Sequence, residues 1–294
     1  MSETAPNPAA LFRARAEAEA AALPPLILSR GAIAATAVPG GHGLRRPGTG
    51  EDFWQYRPAH EADTARAIDW RRSARGDSHF VRDRERQTAR TASLWVGRGA
   101  GMGYRGQADT GESKFDRARL IALSLSLSML RGGERVGLLG ERPGSGATQA
   151  ERLSLAVDLM AMLGSDGDAP ETGAVRQGQT VILMDDFLLH DSRLDLFLQR
   201  AAGLGVNGVL LQILHPDEEA FPFDGAVRFE TAGGLRHETR DADGLRMAYH
   251  ARLEERRQDL STMARQAGFQ FGTHDLGQPV SQALIWLYGV LSAQ

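Results

Sequence analysis

The run SLWVGRGAGMG, residues 93–103, decides how this chain is read. Residues 93–96 are a short apolar run, and from Gly97 to Gly103 every second residue is glycine. A short apolar run closed by glycine has the length and punctuation of a buried strand. The stretch predicts the first strand of an α/β sheet.

The pattern that follows supports this assignment. Helix is expected over 115–130, strand over 136–139 and strand over 180–184. Residues 149–163 are helical by the spacing of Leu153, Ala156, Val157 and Met160. Helix over 192–204 and strand over 208–214 continue the series. Residues 226–230 and 235–239 form a β-hairpin, and the chain ends with helix 244–266, strand 269–274 and helix 280–291. Strand and helix in regular alternation predict a six-stranded, mostly parallel sheet with helices on both faces. One segment is ambiguous. Leu123, Leu125, Leu127 and Met129 alternate with serines, which is the period of a strand. The apolar-rich stretch around them, with Asp116 at its start and Gly132-Gly133 at its end, has the length and caps of a helix. The Gly/Asp-rich residues 164–179 read as a long loop.

Upstream lies GTGEDFWQYRPAHEADTARAIDWRRSARGDSHFVRDRE, residues 48–85, which sets Trp54, Tyr56 and Trp70 among arginines and carboxylates. Thr64 is placed to cap a short helix carrying Ile68, Asp69 and Trp70. Arg66 and Arg72 stand three residues either side of Asp69, on one helical face, where they can hold its carboxylate. Residues around Phe80 and Val81 read as a short strand. Mutual neutralisation at a domain seam, with Trp70 packed into it, and a partner-binding face are the two readings. Earlier still, residues 8–22 form a packing helix stopped by Pro24-Pro25. Residues 29–39 read as one strand, and 40–43 and 47–50 as turns around Arg45 and Arg46.

Composition bounds the function. A net charge of -3 argues against a general polyanion binder. Lys114 is the only lysine, a usage that coding bias suffices to produce. The absence of cysteine removes disulfides, thiolate catalysis and sulfur-ligated zinc. No secretory signal opens the chain, and no run reaches the roughly 18–20 apolar residues of a membrane span. A soluble, cytoplasmic protein is expected.

The candidate motifs are few. Gly101, Gly103 and Gly106 match the dinucleotide fingerprint, but no helix opens directly after them, and no Gly-Lys pair exists for a phosphate loop. No cofactor is expected. His215 and His274 each close a strand. Asp185 and Asp186 end another, at the sheet edge where α/β proteins bind ligands. They could hold Mg²⁺, or simply cap a helix or fix a loop.

Residues 48–85, the glycine ladder and residues 181–187 together resemble the bacterial domain-of-unknown-function family number fifty-eight. The motif that carries most of the resemblance is Tyr56-Arg57-Pro58 followed by RAIDWRRSAR, residues 66–75. His215-Pro216 with Glu218, and Phe221-Pro222-Phe223, also fit. The resemblance implies a von Willebrand factor A-like fold over residues 91–294, preceded by an N-terminal subdomain over residues 1–90. It also implies a metal-ion-dependent adhesion motif, Asp-x-Ser-x-Ser, after the first sheet strand. Here those three positions are Gly97, Gly99 and Gly101, which leaves Asp186 as the one matching acid and adds Arg98 to the rim. A hard cation needs several oxygen ligands, so the motif is degenerate and no metal is expected.

The resemblance further implies a non-enzymatic interaction module that acts as adaptor or client of a MoxR-type AAA+ ATPase. Its binding face would comprise Trp54, Tyr56, Arg57, Arg71, Arg72 and Arg75, with Arg66, Asp69 and Trp70 as the structural signature. Two alternatives stand beside it. One is a metal-dependent hydrolase or phosphotransferase using Asp185 and Asp186, which needs a further carboxylate that the sequence does not make obvious. The other is weak nucleic-acid binding through the arginines of residues 45–90, opposed by the acids among them.

Overall fold

Strand β3 (Thr91–Val96) is the one the sequence singles out, and it lies inside a six-stranded sheet. This architecture comes from a computed structural model, which describes residues 8–28, 47–59, 69–73, 80–85, 90–107, 109–145, 148, 151, 154, 169–230 and 236–293. The other sheet strands are β4 (Arg135–Leu138), β5 (Gly144–Ser145), β6 (Gln179–Asp185), β7 (Asn207–Leu214) and β10 (Phe269–Asp275). Their spatial order is β10-β7-β6-β3-β4-β5, and every pairing is parallel except that of β5 with β4. The mostly parallel α/β sheet is therefore present, with a short antiparallel edge strand. The order is that of a doubly wound sheet, which reverses direction between β3 and β6 and opens a crevice beyond their carboxyl ends.

Each central strand serves two cores. Ile182 and Met184 of β6 join one cluster, and Val181 and Leu183 join the other. The first cluster is closed by helices α3 (Lys114–Arg131) and α7 (Val280–Ala293). The second is closed by α4 (Ser192–Gly203) and α6 (Asp243–Gln266). Burial on both faces is why these strands are predominantly apolar and do not alternate apolar with polar residues.

The ambiguous segment is helix. Ser113 caps α3, its hydroxyl accepting from the Asp116 amide at 3.0 Å. The alternating serines are buried with the leucines, because α3 has almost no solvent face. Ser124 and Ser126 donate to the Leu120 and Ala122 carbonyls one turn back, so their hydroxyls are satisfied within the helix. Ser128 donates to the Pro24 carbonyl at 2.9 Å. Helix α1 (Pro8–Ala21) packs on α3 through Ala16 and Ala20. It belongs to the larger unit, Met1–Ile33 with Arg90–Gln294, and not to the expected N-terminal subdomain; the second unit is Ala34–Ala89.

Within that second unit, β1 (Pro47–Pro58) pairs antiparallel with β2 (Phe80–Glu85), and the register slips between Gly48 and Gln55. The expected turn at 47–50 is thus the irregular start of a strand. A single helical turn, α2 (Trp70–Ser73), is fixed by the buried Ser73 hydroxyl, which donates to the Asp69 carbonyl and accepts from the Phe80 amide. The expected strand 29–39 and the helix start at Thr64 lie outside the described residues, as does helix 149–163 apart from residues 151 and 154. In the larger unit the hairpin is present as β8 (Val227–Glu230) and β9 (Arg236–Thr239). The loop expected over 164–179 is, where described, mostly irregular, with one 3-10 turn at Thr172–Ala174.

One buried carboxylate borders the excursion into the second unit. Glu134 is 4% exposed and accepts from the Leu28 amide at 2.9 Å and the Arg90 amide at 2.5 Å. Those residues flank the excursion on either side. Replacing Glu134 with Ala removes a charged acceptor from two backbone donors, at an expected cost of about 3 kcal/mol. A thermal melt will read this as a lower Tm, and limited proteolysis as faster cleavage between residues 28 and 90. An unchanged melt would show that the clamp contributes nothing.

Candidate functional site

A buried lysine forces the question of what neutralises it, because an isolated ammonium in a protein interior is strongly unfavourable. Lys114, at the first turn of α3, is 0% exposed. Its ammonium donates to Asp186 Oδ2 at 2.9 Å and to Glu218 Oε1 at 2.6 Å. Asp186 follows the end of β6. Glu218 belongs to the short helix α5 (Pro216–Ala220), just beyond the end of β7. One ammonium therefore ties the start of α3 to the carboxyl ends of two adjacent parallel strands, beside the switch point of the sheet.

Each partner is itself held. Glu218 Oε2 accepts from the His215 amide at 2.8 Å while His215 Nδ1 accepts from the Asp217 amide, a reciprocal cap of α5. Asp186 Oδ1 accepts from the Leu188 amide at 3.1 Å, and its carbonyl accepts from the buried Gln212 side chain at 2.8 Å. Phe187 adopts φ 48°, uncommon for a bulky residue. Arg256 fixes this turn by donating to the Phe187 carbonyl at 2.8 Å and the Leu189 carbonyl at 2.9 Å. Burial, with the Asp186 carboxylate adjacent, pushes Asp185 well above the ordinary aspartate range. Its buried Oδ1 has no hydrogen-bond partner among the described residues. Burial also raises Glu218, against the opposing pull of Lys114.

The glycine ladder has a structural purpose here. A Cβ at Gly97 would fall on the Asp185 carboxyl, and one at Gly101 on the Asp186 carboxylate. Gly99 opens a 3-10 turn over Ala100–Gly103. No cofactor-type helix follows Gly106; the chain makes a turn, and α3 begins only at Lys114. Arg98 is half-buried near the Phe115 ring, 6.0 Å from its centroid, and burial beside Arg119 lowers its pKa.

The divalent ion implied by the adhesion motif does not fit these residues. Its three side-chain positions are glycines, at two of which, Gly97 and Gly101, the missing Cβ volume is taken by carboxyl groups, and Asp186 is already paired with an ammonium. Two sequence readings are corrected. Asp186 does not stand nearly alone, since Asp185 and Glu218 join it; Glu218 is the further carboxylate that was not obvious in the sequence. Lys114 is more than a compositional accident. A signal was available, because one lysine in a chain otherwise confined to arginine sits where α3 begins.

The other candidates are dispersed. His274 accepts from Arg117 at 3.0 Å, and burial beside that guanidinium lowers its pKa to about 4, which marks a structural acceptor. His215 meets the edge of Tyr104, whose hydroxyl donates to Asp217 at 3.2 Å. Burial, followed by the Asp217 charge, raises the Tyr104 pKa. In the second unit, Trp54, Tyr56 and Arg57 lie on β1, with only their backbone described. Arg71 is exposed on α2, where Arg72 also lies; Arg66 and Arg75 fall outside the described residues. Trp70 is 56% exposed, which corrects the expectation that its ring is packed away.

Two outcomes follow. Gly101→Ser, which restores a hydroxyl of the adhesion motif, should destabilise the protein by about 1–3 kcal/mol through overpacking. Its Tm should not recover when Mg²⁺ is added; a Mg²⁺-dependent gain would contradict this geometry. The second concerns pH. A carboxyl whose folded pKa is raised stabilises the fold fully below its unfolded value, and that contribution is lost as pH rises through the folded value. Asp185→Asn keeps the shape without titrating. Its Tm advantage over wild type should be absent near about pH 3 and grow above the ordinary aspartate value of 3.8. A pH-independent difference between the two melts would refute the assignment.

Among solved structures, the chain is similar to the conserved hypothetical protein BatB from Bacteroides thetaiotaomicron. Identity is 13%, coverage is 70% of this chain and 100% of that one, and the TM-score is 0.43. It is also similar to an aerotolerance-related membrane protein from Bacteroides fragilis NCTC 9343, at 16% identity, 69% and 100% coverage, and a TM-score of 0.40. No curated protein matches the chain. Among the described residues no helix is long and apolar enough to cross a membrane. The profile of the family described as protein of unknown function DUF58 matches residues 55–259, well over half of the sequence, and the chain belongs to that family.

Proposed function

We propose that this protein is a non-enzymatic protein-interaction module that works without a divalent ion, as adaptor or client of a MoxR-type AAA+ ATPase. The observation that carries the reading is the Lys114 ammonium between Asp186 and Glu218. A metal-bearing adhesion site recruits a partner's carboxylate into an open coordination position. A fully buried ammonium offers a partner no such position, so contact must be made elsewhere. The hydrolase and phosphotransferase reading is weakened by the same cluster, because the third carboxylate it needs is bound to the lysine.

The exposed pair Trp70 and Arg71 supports a partner-facing role for the second unit. Guanidinium groups make bidentate contacts with carboxylates, and exposed aromatics supply the apolar anchors that carry interface energy. In this reading Trp54, Tyr56, Arg57, Arg71, Arg72 and Arg75 form a face for an acidic surface of the partner. The MoxR-type identity of that partner comes from the family resemblance.

The test is capture of a purified MoxR-type ATPase from the same genome, in EDTA. Wild type should retain it, and the Arg71→Glu, Arg75→Glu double variant, shown to be folded by its melt, should lose at least about tenfold in affinity. Binding abolished by chelation, or undiminished by charge reversal, would overturn the proposal.

A further inference from the structure

The Lys114 cluster holds more acid than base. Asp186 and Glu218 each bond the ammonium directly, and Asp185 lies beside Asp186, buried, with Oδ1 unpartnered among the described residues. Three structural elements meet at the ammonium: the start of α3, the turn after β6 and the cap of α5. The glycines at 97 and 101 leave the volume that the two aspartate carboxyls fill. The contact distances also discriminate among cations. Nζ lies 2.6 and 2.9 Å from its oxygens, whereas Mg²⁺ requires about 2.0–2.1 Å in near-octahedral geometry. Both distances are those of N–H···O hydrogen bonds from a seated ammonium.

We propose that Asp186 and Glu218, with Asp185 behind them, form a receptor for a primary ammonium ion, and that Lys114 is its covalently tethered occupant. The tether makes the arrangement of the three loops independent of any dissolved cation. The inference rests on the metal-free reading above; its test reads stability and not partner capture, so either can fail without the other.

Lys114→Ala in the full chain removes three carbons and the ammonium, the atoms of propylammonium. The variant should melt below wild type, and its Tm should rise with the logarithm of propylammonium concentration, as for a ligand that binds only the folded state. Wild type should not respond. Tetramethylammonium at equal concentration, which has charge but no N–H donors, should not restore the variant, and adding Asp186→Asn should abolish the response. If Lys114→Ala is unfolded in buffer, the same titration is read as recovery of a cooperative melt. The proposal is overturned if propylammonium does no better than tetramethylammonium, or if recovery is absent at every concentration. It is equally overturned if Mg²⁺ restores the variant where the amine does not, since the cradle would then be a metal site from which lysine merely excludes the ion.

Discussion

The ion pair of Lys114 with Asp186 and Glu218 is the constraint on which the upper edge of this sheet depends. It is unfavourable to assemble, because three charges leave water, and it persists because each carboxylate's second oxygen has a backbone donor of its own. The capping box at His215 and the amide of Leu188 provide those partners. Arg256 holds the strained turn at Phe187 through its carbonyl. Removing the ammonium would leave carboxylates buried without a counter-charge, a much larger loss than that of an exposed pair.

The same arrangement gives the glycines at 97 and 101 a purpose of their own. Side-chain oxygens at residues 97 and 101 would occupy the volume that the aspartates need. Glycine at those positions leaves that volume to the carboxyl groups, and any side chain there would force them to shift.

The sheet was legible in the sequence because its central strands are buried on both faces, which leaves short, strongly apolar runs in Val181–Met184 and around Gln212 in Val209–Leu214. Helix α3 was legible from its length and caps in spite of its serines, whose alternation reflects a helix enclosed on nearly all sides. The site was only half legible. Asp185-Asp186 announced itself at a strand end. Glu218 was hidden because it reaches the site from inside a five-residue helix after β7, a register that no local spacing reports. Lys114 was visible as a singular residue, but its role follows from long-range contacts with residues 72 and 104 positions away. The membership of α1 in the larger unit likewise comes from the packing of Ala16 and Ala20, which no boundary signal in the sequence reports.

The Glu134 clamp has a consequence for the length of the second unit. The larger unit joins Leu28 to Arg90 through one of its own carboxylates, so its chain ends at that point are already brought together. The entropy of closing a loop between two fixed ends grows only slowly with loop length. A neck of this kind tolerates segments of very different size with little change to the fold that carries them. Changes in the length of the second unit are therefore expected to cost the larger unit little stability.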